Sequence, residues 1–173
     1  MPAVEIDFSV AEITDGPSLI AFLNSVGKQT DYMTLDETGI KMSLSEMTTF
    51  IEESQAAQNR LYLLAKANQD VVGLLNISND SHDRVAHIGE LFIVVDKDYQ
   101  GYGLGQLLMA EAMDWAKNDS QLRRLELTVQ KRNLVAIHLY QKYGFIIEGT
   151  KQRGAKTKNG EFLDVYLMGK LID

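Results

Sequence analysis

The stretch Gln100-Gly101-Tyr102-Gly103-Leu104-Gly105-Gln106 decides how this chain folds, because its three glycines separate two segments of different periodicity. Before it, residues 91–95 are all apolar, which is typical of a central strand covered on both faces. After it, apolar side chains recur at helical spacing, at Leu104, Leu107, Leu108, Ala112 and Trp115. The pattern predicts a strand, a glycine-rich turn and a helix.

This junction has the composition of an anion site. Glycines let the main chain approach a ligand closely, and the first turn of a helix presents unpaired N–H groups and the positive end of its dipole. Two nucleotide motifs are excluded. The dinucleotide fingerprint needs glycine where Gln106 stands, and no Gly-Lys pair follows as a phosphate-binding loop requires.

The segments upstream of the turn alternate between strand and helix patterns. A capping box, Ser43-Leu44-Ser45-Glu46, predicts the start of the second helix. The polar residues 68–70 between two apolar runs predict a hairpin turn. The predicted elements are a strand over residues 4–13, a helix from about Gly16 to Gly27, a helix from Ser43 to before Arg60, strands over 61–65 and 71–77, and a longer strand over 85–95.

Downstream, the pattern predicts a strand over residues 125–129 and a helix from Asn133 to about Lys142. Two closing strands, 143–150 and 162–171, flank a polar loop. The order is a mixed α/β (α+β) plan with one strand–helix–strand crossover in its second half. A TIM barrel or a doubly wound sheet needs more regular alternation, so both are excluded.

Composition narrows the function classes. The 173 residues are 45% hydrophobic and contain no cysteine, which fits one domain over 1–173 without disulfides or thiolate metal sites. His82, His87 and His138 are not closely spaced, so no metal site is predicted. No apolar run approaches the roughly 20 residues that span a bilayer, and the first five residues lack a basic leader. We therefore expect a cytoplasmic protein without a membrane partner.

Charge is distributed unevenly along the chain. The formal net charge is −7, which gives no global support for nucleic-acid binding. Residues 1–90 carry 14 acidic and 5 basic side chains, whereas residues 91–173 carry 10 and 12. The first half therefore suits a cationic ligand and the second an anionic one, unless both are simply solvated surface.

Several motifs together resemble one family. Gln100, Gly103 and Gly105 form a Gln-x-x-Gly-x-Gly pattern, and Asn133, Ala136, Tyr140, Lys142 and Gly144-Phe145 follow at fixed spacing. Over about residues 85–150 the sequence resembles the GNAT superfamily of acetyl-CoA-dependent N-acyltransferases. The resemblance implies a mostly antiparallel twisted sheet of six to seven strands, flanked by about four helices, with a splayed central strand. It implies an N-acetyltransferase that uses acetyl-CoA.

The resemblance also implies how the donor is bound. Residues Gln100, Gly101, Tyr102, Gly103, Leu104 and Gly105 would hold the pyrophosphate, and the main chain of Ile93, Val94 and Val95 would run beside the pantetheine arm, with their side chains in the core. Asn133 would either bond to the pantetheine or only cap its helix. Lys131, Arg132 and Lys142 would meet the outer phosphate unless they are simply solvated.

Amine acetylation needs a proton acceptor for the amine and a stabilised thiolate. Glu90 is on the same face of its strand as Phe92 and Val94, and partial burial would make it a better base; the alternative is a solvent-edge or structural carboxylate. Tyr140 lies seven residues after Asn133, on the same helix face, and the resemblance implies a general acid near the sulfur. The alternative for Tyr140 is an aromatic residue packed in the core.

The resemblance implies that the acceptor meets residues 32–42 and 150–162. Acidic Asp31, Asp36 and Glu37 suit an amine, either a small molecule or a peptide, whereas Lys151, Arg153, Lys156 and Lys158 weaken that inference. Two other functions stay open: a non-catalytic acyl-CoA-binding regulatory domain, and transfer that uses another acyl donor or acceptor. A homodimer joined through the closing strands is a further expectation from the resemblance.

Overall fold

The computed structural model describes residues 4–173. Met1–Ala3, which contributed to the argument against a leader, lie outside the described residues. The strands are β1 Ile6–Val10, β2 Leu61–Ala67, β3 Asp70–Asn79, β4 Ile88–Val95, β5 Arg124–Gln130, β6 Ile146–Lys156 and β7 Phe162–Leu171. The helices are α1 Gly16–Val26, α2 Leu44–Ala56, α3 Leu104–Asn118 and α4 Leu134–Lys142, with short 3-10 turns at Ile13–Asp15 and Lys97–Tyr99.

All seven strands form one sheet in the order β1-β2-β3-β4-β5-β7-β6. Every neighbouring pair is antiparallel except β4 and β5, which the α3 crossover makes parallel. The expected mixed, mostly antiparallel sheet with about four helices is confirmed.

Two apolar clusters cover the two faces of the sheet. On one face, α1 and α2 contribute Leu19, Phe22 and Met47 to a core with β2 and β3. On the other face, α3 and α4 contribute Leu108 and Tyr140 to the larger core.

Local signals explain where these elements begin. The side-chain hydroxyl of Ser43 accepts from the Glu46 amide at 3.1 Å, and the Glu46 carboxylate reaches back to the Ser43 amide, so the predicted capping box starts α2. Asn68 and Gln69 have φ of 50° and 75°, the left-handed pair that closes a two-residue hairpin between β2 and β3.

Three predicted strand boundaries were wrong. Instead of residues 4–13, β1 covers only Ile6–Val10, and β4 begins at Ile88 instead of residue 85. The largest difference is β6, which continues to Lys156 through residues expected to form a loop. Its pairing with β7 shifts register at Ile147/Gly149 and Lys151/Ala155, so bulges carry the strand through this polar sequence.

No helix among the described residues is long and apolar enough to cross a membrane.

Candidate active site

The glycine-rich turn forms the N-terminus of α3. Gly103 is the N-cap residue, with φ of 82°, and no side chain caps the helix in the part of the chain that the structure describes. Gly101 also has φ of 82°, and a Cβ at either glycine would meet no atom within 4 Å. Glycine is thus required by conformation, and the space in front of the first-turn amides is open. This open, uncapped terminus fits a diphosphate.

A slot opens between β4 and β5 next to this turn. The two strands pair only at Ile88↔Arg124, Gly89↔Leu125 and Glu90↔Glu126. Beyond Glu90, β4 is paired with β3 alone up to Val95. Among the described residues, the main chain of Ile93, Val94 and Val95 therefore has no neighbouring strand on its β5 side, and strand-edge polar groups there suit an extended amide-bearing ligand.

The side chains at the end of β4 are less buried than the sequence indicated. Residues 92–95 are half-buried, not core, although they contact the two apolar clusters. The apolar run predicted a central strand covered on both faces. The strand β4 is the middle strand of the sheet and contacts both clusters, but burial of its end is incomplete where its pairing with β5 stops. Gln100 lies just beyond the slot, where its amide Nε2 donates to the Val95 carbonyl at 3.0 Å.

Helix α4 lies beside the N-terminus of α3. A Cβ at Gly105 would lie 3.4 Å from Cδ2 of Leu139, and the Tyr143 hydroxyl donates to the Gln106 carbonyl at 2.8 Å. Lys142 Nζ donates to Gln106 Oε1 at 2.5 Å. The two helices thus bring the glycine turn and the predicted acid on α4 to one region, and the third glycine permits their close approach.

Tyr140 is buried on α4, with 7% of its surface exposed, and its ring lies 6.0 Å from that of Phe145 between centroids. Burial raises its pKa to about 12. Its hydroxyl makes no hydrogen bond among residues 4–173, yet no fully buried side-chain oxygen there lacks a partner. The hydroxyl oxygen therefore keeps some access to solvent, while the phenol stays protonated at physiological pH.

Asn133 caps α4. Its side-chain oxygen accepts from the Ala136 amide at 3.3 Å, so the capping alternative is observed. Tyr102 is exposed at the tip of the glycine turn, and Leu104 anchors the start of α3 in the core.

Glu90 is the last residue of β4 that pairs with β5. It lies opposite Glu126 on β5 and Ser78 on β3. The expectation of partial burial was wrong, because the side chain is exposed. Its strand and face agree with the sequence interpretation, but the covering that would desolvate it is absent. Glu126 beside it is held by Arg124, with 2.8 Å between Oε1 and Nε.

The family model of the acetyltransferase (GNAT) family matches residues 31–145. The chain belongs to the GNAT family of acetyltransferases. The expected family and enzyme class, an N-acetyltransferase, are confirmed, and acetyl-CoA is the cosubstrate of this family.

Two relatives of this GNAT chain have names that state a small amine as substrate. It is 38% identical to the L-amino acid N-acetyltransferase AaaT of Escherichia coli K12 over 109 residues, which are 63% of this chain and 67% of that protein. It is 30% identical to spermidine N(1)-acetyltransferase of the same organism over 104 residues, 60% of this chain and 55% of that protein.

Solved structures share the fold. A GNAT-family acetyltransferase from Streptococcus pneumoniae has a TM-score of 0.95 and 49% identity, and the match covers 97% of this chain and all (100%) of that one. A phosphinothricin acetyltransferase from Sinorhizobium meliloti, solved in complex with acetyl-CoA, has a TM-score of 0.81 at 18% identity, over 96% of this chain and 88% of that one.

In this GNAT chain the acidic side chains of the loop that was expected to meet the acceptor are largely engaged. Asp31 pairs with Arg132, with 2.7 Å between Oδ1 and the guanidinium. Asp36 accepts from the Thr38 amide and hydroxyl, and these bonds hold the pKa of its carboxyl below the usual value. The argument from acidic charge to an amine acceptor is therefore weaker than the sequence indicated. Arg132, expected at the outer phosphate, instead pairs with Asp31.

The sequence interpretation missed two glutamines that lie at the open end of the slot. Gln130, with 5% of its surface exposed, ends β5, and Gln29 follows α1. Both bond to segments far away in sequence. The only local signal was that Gln130 continues the alternation of Glu126 and Thr128. The predicted strand ended at Val129 and therefore left Gln130 out.

Proposed function

We propose that this chain, as a single domain over 1–173, transfers the acetyl group of acetyl-CoA to a primary amine of a small molecule or peptide by direct attack in a ternary complex. The observation that carries the proposal is the slot between β4 and β5, which opens next to the uncapped N-terminus of α3. One end provides amides for a diphosphate, and the other provides an unpaired strand edge for an amide-bearing arm.

Donor binding would be a main-chain function. The amides of Gly101, Gly103 and the first turn of α3 would hold the diphosphate oxygens, and the edge at Ile93, Val94 and Val95 would hydrogen-bond the pantetheine. When bound, acetyl-CoA supplies an activated thioester carbonyl. A main-chain N–H near Val94 or Val95 would stabilise the charge that develops on the carbonyl oxygen.

Proton transfer would involve Glu90 and Tyr140. The ammonium form of the acceptor loses a proton to Glu90, directly or through water, because only the neutral amine is a nucleophile. The N–C bond forms and the C–S bond breaks, and the proton that the attacking nitrogen must still lose passes through solvent to the departing sulfur, so that coenzyme A leaves as the free thiol. The Tyr140 O–H, with its pKa raised to about 12, donates a hydrogen bond to the sulfur without giving up its proton fully.

The names of the relatives support a small-molecule amine as acceptor, since one acts on L-amino acids and another on spermidine. We also propose a cytoplasmic location, on the absence of cysteine, and a homodimer. The dimer is supported by β6, which lies at the sheet edge, and by exposed Ile146 and Leu167 on the closing strands. The mass in solution tests the dimer, and a monomer would contradict it.

A thiol-release assay tests the proposed function. The wild type, mixed with acetyl-CoA and a panel of L-amino acids, polyamines and peptides, should release free thiol with at least one amine. Glu90→Gln should lower kcat by roughly 10²–10⁴-fold, the size of a general base contribution. Glu126→Gln is the matched control, because it changes a neighbouring carboxylate that is engaged by Arg124.

Tyr140→Phe should lower kcat at unchanged stability, since the ring contact with Phe145 is kept. Tyr62→Phe is its control: Tyr62 is also buried beside a phenylalanine, and burial raises its pKa to about 12, but it lies in the α1–α2 core. Acetyl-CoA binding without thiol release for any amine would favour the regulatory domain. Release only from another acyl-CoA would favour a different donor.

A further inference from the structure

Residues 29–31 cross the open end of the slot. They lie two residues beyond the end of α1, in the loop that leads to α2. Their bonds reach the end of β4 through Gln29 and the end of β5 through Asp31. We call this three-residue segment the strap.

The β4 contact is made by one side-chain amide. Gln29 Nε2 donates to Asp96 Oδ2 at 3.1 Å, and Gln29 Oε1 accepts from the Lys97 amide at 2.9 Å. Asp96 is the N-cap of the 3-10 turn Lys97–Tyr99, because its other oxygen accepts from the Asp98 amide. This turn leads directly into Gln100, so Gln29 holds the start of the donor-binding turn.

The β5 contact is made at a buried amide. Gln130 Nε2 donates to the Asp31 carbonyl at 2.8 Å, and Gln130 Oε1 accepts from Arg132 Nε at 2.9 Å. The Arg132 guanidinium returns to the Asp31 carboxylate and also lies 5.0 Å from the centre of the Tyr32 ring. Both polar atoms of the Gln130 amide are therefore used to hold the strap to β5.

The strap is only three residues long. Consecutive Cα atoms lie about 3.8 Å apart, so the Cα atoms of Gln29 and Asp31 are separated by at most about 7 Å. No strand pairing sets the separation of β4 and β5 beyond Glu90 and Glu126. The strap supplies the direct hydrogen-bonded link between the two strand ends there, within the described part of the chain.

We propose that Gln29 and Gln130 are positioning residues that fix the width of the slot and couple the donor-binding turn to residues 32–42, the loop expected to meet the acceptor. The proposal rests on the proposed function for the identity of the donor. Cutting either contact frees the same strap, so the two glutamines should act as one unit. Because the strap continues into residues 32–42, the loss should reach the acceptor side as well.

The experiment is a double-mutant cycle on acetyl-CoA binding, measured by calorimetry with Gln29→Leu, Gln130→Leu and the double variant. Each single change should raise the Kd of acetyl-CoA about fivefold, the lower end of typical coupling between sites. The Kd of the double variant should be at most about twofold higher than that of the single variant with the higher Kd. The first substitution already releases the strap, so the second has little further effect. If the increase in Kd of the double variant equals the product of the two single increases, the glutamines act independently and the proposed coupling is wrong.

Gln55→Leu is the matched control. Its amide Nε2 donates to the Ala11 carbonyl at 2.7 Å, an equivalent side-chain bond between α2 and the chain after β1, away from the slot. It should leave the Kd unchanged, and a Kd change equal to that of Gln130→Leu would show that any such lost bond has this effect and would overturn the proposal.

Amide hydrogen exchange distinguishes coupling across the slot from a purely local loss of structure around the substituted residue. In Gln130→Leu, amides of residues 97–101 should exchange faster although Gln130 does not touch them, together with those of residues 30–33. Faster exchange confined to residues 30–33 would overturn the coupling. Wild-type protein that does not bind acetyl-CoA would instead refute the proposed function, whereas normal wild-type binding with unaffected variants would refute the strap alone.

Discussion

Replacing Gly103 by alanine separates backbone strain from ligand binding, because the chain contains a matched glycine. Gly103 has φ of 82° and Gly160, between β6 and β7, has φ of 85°. A Cβ would meet no atom within 4 Å at either position. A left-handed conformation costs a non-glycine residue about 1–2 kcal/mol, so both variants should lose about that much free energy of unfolding.

The two variants should differ in donor affinity. A Cβ at Gly103 would occupy open space at the N-terminus of α3, where the account places the diphosphate, so it should obstruct this ligand. A hydrogen bond to a charged group contributes about 1.5–3 kcal/mol, so the loss of one such bond should raise the Kd of acetyl-CoA roughly 10- to 150-fold. Gly160→Ala should leave this Kd unchanged.

The assay combines urea unfolding with calorimetric titration of acetyl-CoA into each alanine variant. Equal losses of stability with a raised Kd only in Gly103→Ala would support main-chain capture of the diphosphate. The reasoning is refuted if Gly103→Ala binds acetyl-CoA as tightly as Gly160→Ala does at the same loss of stability.

Three further predictions concern the surrounding structure. Gly89→Ala should lower the free energy of unfolding by about 1–3 kcal/mol, because its Cβ would lie 2.7 Å from Cγ2 of Ile77; urea unfolding that matches the wild type would contradict this. Lys66→Met should cost about 3 kcal/mol by the same measurement, since Lys66 Nζ lies 2.7 Å from the largely buried carboxylate of Asp15; a loss below about 0.5 kcal/mol would show that the pair is effectively solvated. Burial raises the pKa of Tyr140 to about 12, above the usual 10.0, so its contribution to stability is complete below pH 10 and is lost as pH rises toward 12. Tyr140→Phe should therefore flatten the alkaline limb of a stability–pH profile, and an unchanged limb would contradict the burial of the phenol.

The sequence predicted the elements that depend on local signals. The capping box at Ser43, the polar turn at residues 68–70 and the glycine turn before α3 each act within a few residues, and each appears where predicted. The crossover between β4 and β5 followed from the change in periodicity, and the motifs of the second half of the sequence indicated the family.

The sequence could not predict how deeply individual side chains are buried or which residues far apart in the chain form hydrogen bonds. The alternation of side chains along β4 predicted which face of the strand carries Glu90. It did not predict whether other residues bury this side chain, and the side chain is exposed. Gln130 and Asp31 are 99 residues apart, and Gln29 and Asp96 are 67 apart, so no local pattern reports these bonds. The length of β6 depends on bulges, one of which includes Arg153 with φ of 52°.

A crystal structure with acetyl-CoA bound tests the central claim most directly. The account predicts diphosphate oxygens within hydrogen-bonding distance of the amides of residues 101–106, and the pantetheine along residues 93–95 in the slot between β4 and β5. A ligand bound elsewhere, with the first turn of α3 contacting only solvent, would contradict the account.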